Sequence, residues 1–452
     1  MANWDVSTLL SEDRNYLLHP LHHPEDHAKP HVWVKGKGCI LTDADGREFI
    51  DGLACLWNVN VGHGRRELAE AAAEQMSTLA YAVNYTGSAV VPAIRLAHRL
   101  TELAYPNLCS TYFTSGGAES NESAFKTARY YWKIKGMPNK VKIISRQFGY
   151  HGVTMAAMSA TAVPGYDRMF GPRVPNFIHT ATPYGYRFEG ARPGETVGQA
   201  AARMLEETIL NEGPDTVAAF IAEPVQGAGG IIVPPDDYFP LVRQICTKHN
   251  VLFIADEVIT GFGRTGHWFA LTHWGVQPDI MAFAKGITSG SLPLGGIMVS
   301  REVLDTMLSA PYADRWMHAY TYSGHATCCA VGLRNLEIIE KEGLVDNAAK
   351  MGARLLKGMQ SLSDLAAVGE VRGKGLMVAV ELVADRATKA AFDPAKKVIN
   401  KVKAELEARG VFTRHVRDIL CFAPALVITE AQVDRLVEAT RGAISAVLPD
   451  RA

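Results

Sequence analysis

Two short apolar runs, each ending in one charged residue, constrain this chain more than any other feature. Val251–Ala255 is followed by Asp256, and Ile280–Ala284 is followed by Lys285. Apolar runs of about five residues between polar or glycine signals are typical of buried strands in a parallel sheet. Because ligands bind at the carboxyl ends of such strands, we expect the acid and the amine to meet at one edge of the sheet. Together they would suit the two ends of one cofactor.

A glycine turn that opens a helix lies earlier in the chain. Thr111–Thr114 is typical of a strand, and it is followed by Ser115, Gly116, Gly117 and a strongly helical segment. A helix start presents unpaired N–H groups and a positive dipole end, and glycines let a phosphate approach them. Alone this turn is a weak signal, since the chain has no GxxxxGK[ST] motif and no GxGxxG motif opening a βαβ unit. Together with the acid and the amine it predicts a phosphate site.

Pyridoxal 5′-phosphate (PLP) has the three groups that this pattern would bind. Its aldehyde bonds covalently to a lysine, its ring nitrogen is kept protonated by a carboxylate, and its phosphate suits a helix start. For a lone Asp or Lys, an ordinary solvated or paired charge is the commoner explanation, because charged side chains are mostly exposed. The glycine turn favours the cofactor instead. We therefore predict that Lys285 attaches PLP and that Asp256 faces its ring nitrogen.

The same stretch carries a family resemblance. ADEVITGFGRTG begins at Ala255, and AKGITSG contains Lys285, which lies 29 residues after Asp256. These motifs resemble the signature of class III aminotransferases of PLP fold type I, and within them the ω-transaminases, which are amine:pyruvate enzymes. The resemblance extends from about Tyr16 to the C terminus. It implies an α/β fold with a large domain built on a mostly parallel sheet, in agreement with the alternating βα pattern between about 110 and 300. We expect residues 161–195, which are rich in Pro, Gly and Tyr, to form a surface excursion, and a long helical stretch to run from Cys329 through Leu365.

The C-terminal strands and helices, together with the N-terminal hairpin, predict a smaller α+β domain formed by both termini. We place the large PLP-binding domain at residues 60–325 and the small domain at residues 1–59 and 326–452. A site that needs a residue from a neighbouring chain further implies a homodimer or a dimer of dimers. That residue is Thr321, which in the family binds the cofactor phosphate across the dimer interface. Without the family, Thr321 would be an ordinary turn residue.

Further site residues follow from the resemblance. Tyr150 matches the family tyrosine that lies against the pyridine ring, although a packed loop aromatic is the alternative. Trp57 would line the substrate pocket, whereas a tryptophan beside a glycine-rich turn is more often core. Val258, two residues after Asp256 on the same side of the strand, would pack under the ring. The cofactor-binding residues implied are Ser115, Gly116, Gly117, Tyr150, Glu223, Asp256, Val258, Lys285 and Thr321. The substrate-binding residues implied are Leu56, Trp57, Tyr85, Tyr150 and Arg414.

Two departures from relatives bear on the substrate. Ornithine and γ-aminobutyrate enzymes carry a glutamate at the position of Ala228, where it pairs with a mobile arginine, and a glutamine at the position of Ile259. Both differences point toward the amine:pyruvate group. The matching arginine is Arg414, which would clamp the pyruvate carboxylate bidentately and swing aside for an uncharged amine tail. A surface ion pair is the alternative for Arg414, and Arg417 is the second candidate for the clamp.

The predicted reaction is a ping-pong amino-group transfer. A primary amine (an aryl or alkyl amine, or an ω-amino acid such as taurine or β-alanine) gives its amino group to pyruvate. The products are alanine and an aldehyde or ketone, with Lys285 as covalent anchor and base. An aminomutase, racemase or decarboxylase of the same fold would use the same residues and stays open as an alternative. A regulatory protein on this fold would carry a basic DNA-binding segment, which the N terminus lacks.

Composition bears on the partners and the location of the protein. The chain has 452 residues, 21% of them charged, and a formal net charge of −1. It has no basic excess for nucleic acid and no apolar run near the roughly 20 residues that span a bilayer. The acidic, amphipathic N terminus is not typical of a signal peptide. We expect a cytoplasmic enzyme that binds neither nucleic acid nor membranes and whose partners are a small amine, a keto acid and its own copies.

Cysteines and histidines gave no metal motif. The seven cysteines are scattered without a CxxC pair, which favours reduced thiols over a disulfide framework or a zinc site. Five histidines lie within residues 19–31, but three prolines interrupt them and no ligand spacing falls on a regular element. We expect a solvent-facing or interface loop there and no metal.

Overall fold

The computed structural model describes residues 4–25 and 27–449, so residues 1–3, 26 and 450–452 of the predicted small domain lie outside it. The strands are β1 (Trp33–Lys37), β2 (Ile40–Asp43), β3 (Glu48–Asp51), β4 (Leu108–Thr114), β5 (Lys142–Arg146), β6 (Phe177–Thr180), β7 (Val217–Ala222), β8 (Leu252–Asp256), β9 (Ile280–Phe283), β10 (Gly295–Ser300), β11 (Val368–Gly373), β12 (Val378–Leu382), β13 (Val411–Phe412), β14 (Arg414–Val416) and β15 (Ile419–Phe422). The helices are α1 (Val6–Tyr16), α2 (Ala54–Trp57), α3 (Arg66–Leu79), α4 (Val91–Leu103), α5 (Gly117–Ile134), α6 (Met155–Ala160), α7 (Val197–Glu212), α8 (Tyr238–Lys248), α9 (Arg301–Leu308), α10 (Ala326–Lys341), α11 (Leu344–Gln360), α12 (Val398–Ala408) and α13 (Glu430–Val447). None of the helices in these described ranges is long and apolar enough to cross a bilayer.

The largest sheet has seven strands in the order β4-β10-β9-β8-β7-β5-β6. Neighbouring strands from β9 to β6 pair in parallel, whereas β10 runs antiparallel to both β4 and β9. Every residue of β7, β8 and β9 is buried, which explains why these strands are uninterrupted apolar runs. The predicted α/β fold with a mostly parallel sheet is confirmed. Since β8 and β9 are adjacent, the two charged strand ends lie side by side.

Two four-stranded sheets use the ends of the chain. One has the order β1-β2-β3-β13, in which β13 pairs in parallel with β3, and the other has the order β11-β12-β15-β14. The buried Arg264 ties them to the region after β8. Its guanidinium donates to the carbonyl of Ala423 at 3.1 Å and to Oδ1 of Asn60 at 3.0 Å. Segments from both termini therefore pack beside the large sheet.

Two elements differ from the sequence-based expectation. One helical stretch was expected from Cys329 through Leu365, but α10 and α11 are separate because Gly343 adopts a left-handed φ of 61°. Residues 161–195 were expected to be a surface excursion, yet they contain β6, which pairs with β5 at the sheet edge. Strand β6 has only four residues, and two of them, His179 and Thr180, are polar, so the sequence gives no clear strand pattern there.

Candidate active site

Asp256 ends β8 as a buried carboxylate with three donors. The residue is 3% exposed. Its Oδ2 accepts a hydrogen bond from Asn121 Nδ2 at 2.8 Å and lies 2.7 Å from His151 Nδ1, while Oδ1 accepts from the Val258 N–H at 3.1 Å. Burying a carboxylate is costly unless donors replace water, and these three do so. They also fix the direction of the side chain, so Asp256 is preorganised toward a cationic partner.

Sequence reasoning missed Asn121 and His151. Both are buried, at 1% and 2% exposure, on α5 and in the loop after β5. Asn121 also donates to the His151 carbonyl at 2.8 Å, so the two hold each other as well as Asp256. One signal was available in the sequence. Asn121 is a polar residue on the buried side of α5, and a buried polar side chain normally has a hydrogen-bond partner.

Lys285 follows β9 and faces the same region. It has a left-handed φ of 49°, a conformation that is strained for a residue with a side chain. Burial lowers the pKa of Lys285 to about 8, and Arg414 adds to that effect while Asp256 and Glu223 oppose it. The Nζ atom lies 5.8 Å from the ring centre of Trp57. Near pH 8 much of the amine is therefore uncharged and can act as a nucleophile or base.

The start of α5 lies beside the acid. Gly116 is its N-cap with no side-chain cap, and a Cβ on Gly116 would meet nothing within 4 Å. A Cβ on Gly117 would lie 2.9 Å from Val258 Cγ1, so only glycine fits there without displacement. The Ser115 N–H is already bonded to Glu119 Oε2 at 2.8 Å. The helix start thus has open space beside Gly116 and no side-chain cap, as an anion site at a helix start requires.

Val258 does not lie on the strand as expected. The sequence placed it two residues after Asp256 on the same strand side, but β8 ends at Asp256 and Val258 lies in the following turn. The turn forms because the carboxylate accepts the Val258 N–H. Val258 still contacts Gly117, so it lies between the acid and the helix start.

Glu223 and Tyr150 are linked at the ends of β7 and β5. Glu223 Oε1 accepts from the Tyr150 N–H at 3.0 Å, and Oε2 accepts from the Gly227 N–H at 2.9 Å. Burial raises the pKa of Glu223. The buried Arg146, which the sequence analysis also missed, donates to the Glu223 carbonyl. Glu223 therefore fixes the loop that carries Tyr150.

The ring of Tyr150 is partly buried and meets Tyr166 edge-on, with centroids 5.4 Å apart. Burial raises the pKa of Tyr150 to about 12, with Tyr166, Asp256 and Glu223 in support and Arg414 in opposition. The hydroxyl therefore stays protonated at neutral pH. The hydroxyl of Tyr150 therefore lies close enough to Asp256 and Arg414 for both charges to affect its pKa.

The two candidate arginines have different surroundings. Arg417 donates to the Gly229 carbonyl at 3.0 Å, and its guanidinium lies 4.6 Å from the Phe148 ring centre. It borders a cavity of about 460 Å³ that Phe148 also lines but Lys285 does not. Arg414, on β14, has no side-chain hydrogen bond or ion pair with any described residue. Its charge acts on Lys285 and Tyr150 instead.

The remaining predicted residues fall into two groups. Trp57 is 5% exposed and close to Lys285, at the end of α2, which is an irregular turn because Cys55 has a non-helical φ of 55°. Leu56 and Tyr85 are 44% and 43% exposed, and Thr321 is exposed with its carbonyl accepting the Tyr81 hydroxyl at 2.8 Å. Within the described part of the chain, no hydrogen bond, ion pair or ring contact joins Tyr85 or Thr321 to the Lys285 region.

Comparisons with known proteins identify the family of the chain. The family described as Aminotransferase class-III matches residues 22–444. A crystal structure of an (S)-enantioselective ω-transaminase from Thermomicrobium roseum is similar, with 51% identity, a TM-score of 0.95 and coverage of 98% of this chain and 99% of that one. Diaminobutyrate–2-oxoglutarate transaminase from Halomonas elongata is 42% identical over 97% of this chain and 96% of its own length. Putrescine–pyruvate aminotransferase from Pseudomonas aeruginosa is 39% identical over 91% and 89%. The chain therefore belongs to the class-III aminotransferases, and it is a PLP-dependent ω-aminotransferase.

Proposed function

We propose that this enzyme transfers the amino group of a primary amine to pyruvate at a site centred on Lys285 and Asp256. The amine is an aryl or alkyl amine, or an ω-amino acid such as taurine or β-alanine, and the products are alanine and an aldehyde or ketone. The observation that carries the proposal is the pair of strand ends. A buried, fully hydrogen-bonded acid ends β8, and an amine whose pKa is lowered to about 8 follows β9.

A panel of amines with pyruvate as the acceptor tests this proposal. We expect alanine to form in equal amount to the pyruvate consumed, with no release of CO2. Pyruvate consumption without alanine, or CO2 release matching turnover, would favour a decarboxylase of the same fold instead. Running the panel again with 2-oxoglutarate is the matched comparison, because a named relative uses that acceptor.

The residues present fit PLP. The open side of Gly116 and the first amides of α5 suit its phosphate, Asp256 suits its protonated ring nitrogen, and Lys285 suits its aldehyde. Val258 and Tyr150 are the groups available to hold the two faces of the ring. When bound, PLP supplies an aldehyde that takes up the amino group and a ring that accepts the electrons of the substrate C–H bond.

The side chains then have distinct tasks. Lys285 would carry the proton between the substrate carbon that bears the amino group and the cofactor, which its lowered pKa permits. Asp256 would keep the ring nitrogen of the cofactor protonated, because its negative charge is held in place at low dielectric. Glu223 orients the Tyr150 loop through the Tyr150 N–H. Trp57, beside Lys285, forms a wall of the amine pocket together with Leu56.

We propose Arg414, rather than Arg417, as the clamp for the pyruvate carboxylate. Arg417 already uses its guanidinium on the Gly229 carbonyl and the Phe148 ring. Arg414 has no such partner among the described residues, and its charge acts on Lys285. Position 228 is an alanine, so it offers Arg414 no carboxylate. An unpaired guanidinium near the reacting amine is free to bind a carboxylate bidentately or to move aside for an uncharged group.

Replacing Arg414 with alanine is expected to raise KM for pyruvate about tenfold to hundredfold, because a charge-assisted hydrogen bond contributes about 1.5–3 kcal/mol. KM for an uncharged amine such as 1-phenylethylamine should change little. Steady-state kinetics with each substrate varied in turn measure both values. Arg417→Ala is the matched control and should spare KM for pyruvate. Equal effects on both substrates, or a pyruvate defect only in the Arg417 variant, would refute the clamp.

Covalent loading of PLP should follow the titration of Lys285. Only the neutral amine attacks the aldehyde, and burial disfavours the charged form, so its pKa lies near 8 rather than at 10.5. The rate of covalent attachment to apoenzyme should therefore rise with pH and level off above about pH 8. Stopped-flow absorbance across a pH series measures it. A rate still rising toward pH 10.5 would contradict the lowered pKa, and Arg414→Ala should move the midpoint upward.

We propose a homodimer or dimer of dimers as the working assembly, with Thr321 acting on the neighbouring chain. Thr321 is exposed on the single chain, which leaves it available for such a contact. The domain division at 60–325, with 1–59 and 326–452 as the small domain, is likewise proposed, supported by the pairing of β13 with β3. A cytoplasmic location is proposed because all seven cysteines are unpaired.

A further inference from the structure

A cysteine, a histidine and an aspartate converge just before Leu56. His63 Nε2 lies 2.9 Å from Asp51 Oδ2 and 3.8 Å from Cys55 Sγ. One ligand atom from each residue falls within 4.8 Å of the other two. Asp51 is buried, and Cys55 and His63 are partly exposed, so the cluster has an inner carboxylate and an accessible outer side. Neither the cofactor site nor the proposed clamp uses these three side chains.

The geometry is not that of a nucleophile with its base. In such a relay, one ring nitrogen of the histidine faces the thiol and the other faces the carboxylate. Here the same atom, Nε2, faces both the thiol and the carboxylate. A single nitrogen, a sulfur and an oxygen that point at one common volume are instead the donor set of a shared cation.

Rigid backbone holds the three donors in place. The Cys55 N–H donates to Asp51 Oδ2 at 2.8 Å, which fixes the carboxylate against the turn. His63 exchanges two backbone hydrogen bonds with Gly38, at 2.8 Å and 3.0 Å. A Cβ on Gly36, a residue of β1, would lie 2.6 Å from His63 Cβ, so the histidine packs directly against β1. Donors fixed by their surroundings lose little entropy when they bind a ligand.

We propose that Asp51, Cys55 and His63 form a site for one divalent cation of the zinc type. A thiolate and a carboxylate would balance the two positive charges, and the imidazole supplies a neutral third ligand. On binding, the Cys55 thiol releases its proton to solvent, and the imidazole presents the Nε2 lone pair with its proton on Nδ1. The fourth position faces the exposed side and is left to water. An occupied site would also fix the turn that carries Leu56 and Trp57.

Sequence patterns could not find this site, because Asp51, Cys55 and His63 follow no familiar metal motif and lie on a strand end, a turn and a loop. The prediction of no metal rested on the cysteine pattern and on the histidines of residues 19–31. Cys55 is one of those cysteines, but its partners Asp51 and His63 belong to neither pattern. The proposal does not depend on which amine or keto acid the enzyme uses.

Zinc titration of the PLP-loaded enzyme, followed by X-ray absorption at one equivalent of Zn²⁺, tests the proposal. We expect one site per chain whose spectrum contains a sulfur neighbour at about 2.3 Å. Cys55→Ser should remove the sulfur signal, and His63→Asn should weaken binding by at least about tenfold. Cys109→Ser is the control, since this partly exposed thiol lies outside the cluster and should leave the site intact.

Two results would overturn the site. One is a wild-type spectrum with nitrogen and oxygen neighbours only, as the histidines of residues 19–31 would give. The other is a sulfur signal that persists in Cys55→Ser. The first result is measured on the wild-type enzyme, so it tests the site even if a variant fails to fold.

Discussion

Replacing Lys285 with alanine is expected to lower kcat for amine:pyruvate transfer by at least about 10³-fold, because the variant loses the covalent anchor and the proton-transferring base together. Lys285 itself has the left-handed φ of 49°, and alanine removes the amine while keeping a Cβ at this position. The protein should remain folded and bind PLP without a covalent bond. Steady-state alanine production measures the loss.

The covalent bond can be tested separately from turnover. Borohydride reduction followed by peptide mass spectrometry should find the cofactor on Lys285 in the wild-type enzyme and on no lysine in Lys285→Ala. Lys401→Ala is the matched control, because Lys401 is an exposed lysine of α12 and should keep full activity. Full turnover in Lys285→Ala, or labelling of another lysine in the wild-type enzyme, would remove Lys285 from the mechanism.

Asp256→Asn should lower kcat about 10²- to 10³-fold, the usual loss when one preorganised charge or donor is removed from a transition state. The amide keeps the size of the side chain and an oxygen that can accept hydrogen bonds, so the change isolates the charge. A neutral amide does not keep the cofactor nitrogen protonated, and the substrate C–H bond then breaks more slowly. We expect this loss in kcat per PLP-bound chain.

Glu257→Gln is the control for removing a buried acid next to Asp256. Glu257 is as buried as Asp256, but its oxygens accept from Thr260, Tyr105 and the Ala270 N–H. This variant should lose stability and keep kcat per folded chain. If Asp256→Asn kept wild-type kcat, or if both variants lost kcat equally, the charge of Asp256 would not be the source of catalysis.

Much of the site could be predicted because it depends on local pattern. Strands β8 and β9 are buried on both faces, so they appear as apolar runs, and their terminal charges stand out. The glycine turn before α5 is also a local signal, and the class-III assignment confirmed the family to which the motifs pointed. The roles of the individual site residues stay predictions until the variants above are measured.

The parts that could not be predicted depend on contacts between distant segments. Asn121 and His151 reach Asp256 across 135 and 105 residues, and no single-sequence pattern gives such distances. Val258 lies in a turn and not on the strand because its N–H donates to the Asp256 carboxylate. Such a hydrogen bond from backbone to side chain competes with regular strand pairing. The choice between Arg414 and Arg417 likewise required the structure. It depends on a hydrogen bond to the Gly229 carbonyl, which Arg417 donates and Arg414 does not.

The most direct test of the central claim is a pair of half-reactions on stoichiometric, PLP-loaded enzyme. Primary amine alone should yield one equivalent of aldehyde or ketone per chain and change the absorbance of the bound cofactor. Pyruvate added after removal of free amine should yield one equivalent of alanine and restore the first spectrum. Enzyme that gives no carbonyl product with any amine of the panel, or no alanine on addition of pyruvate, would contradict the account.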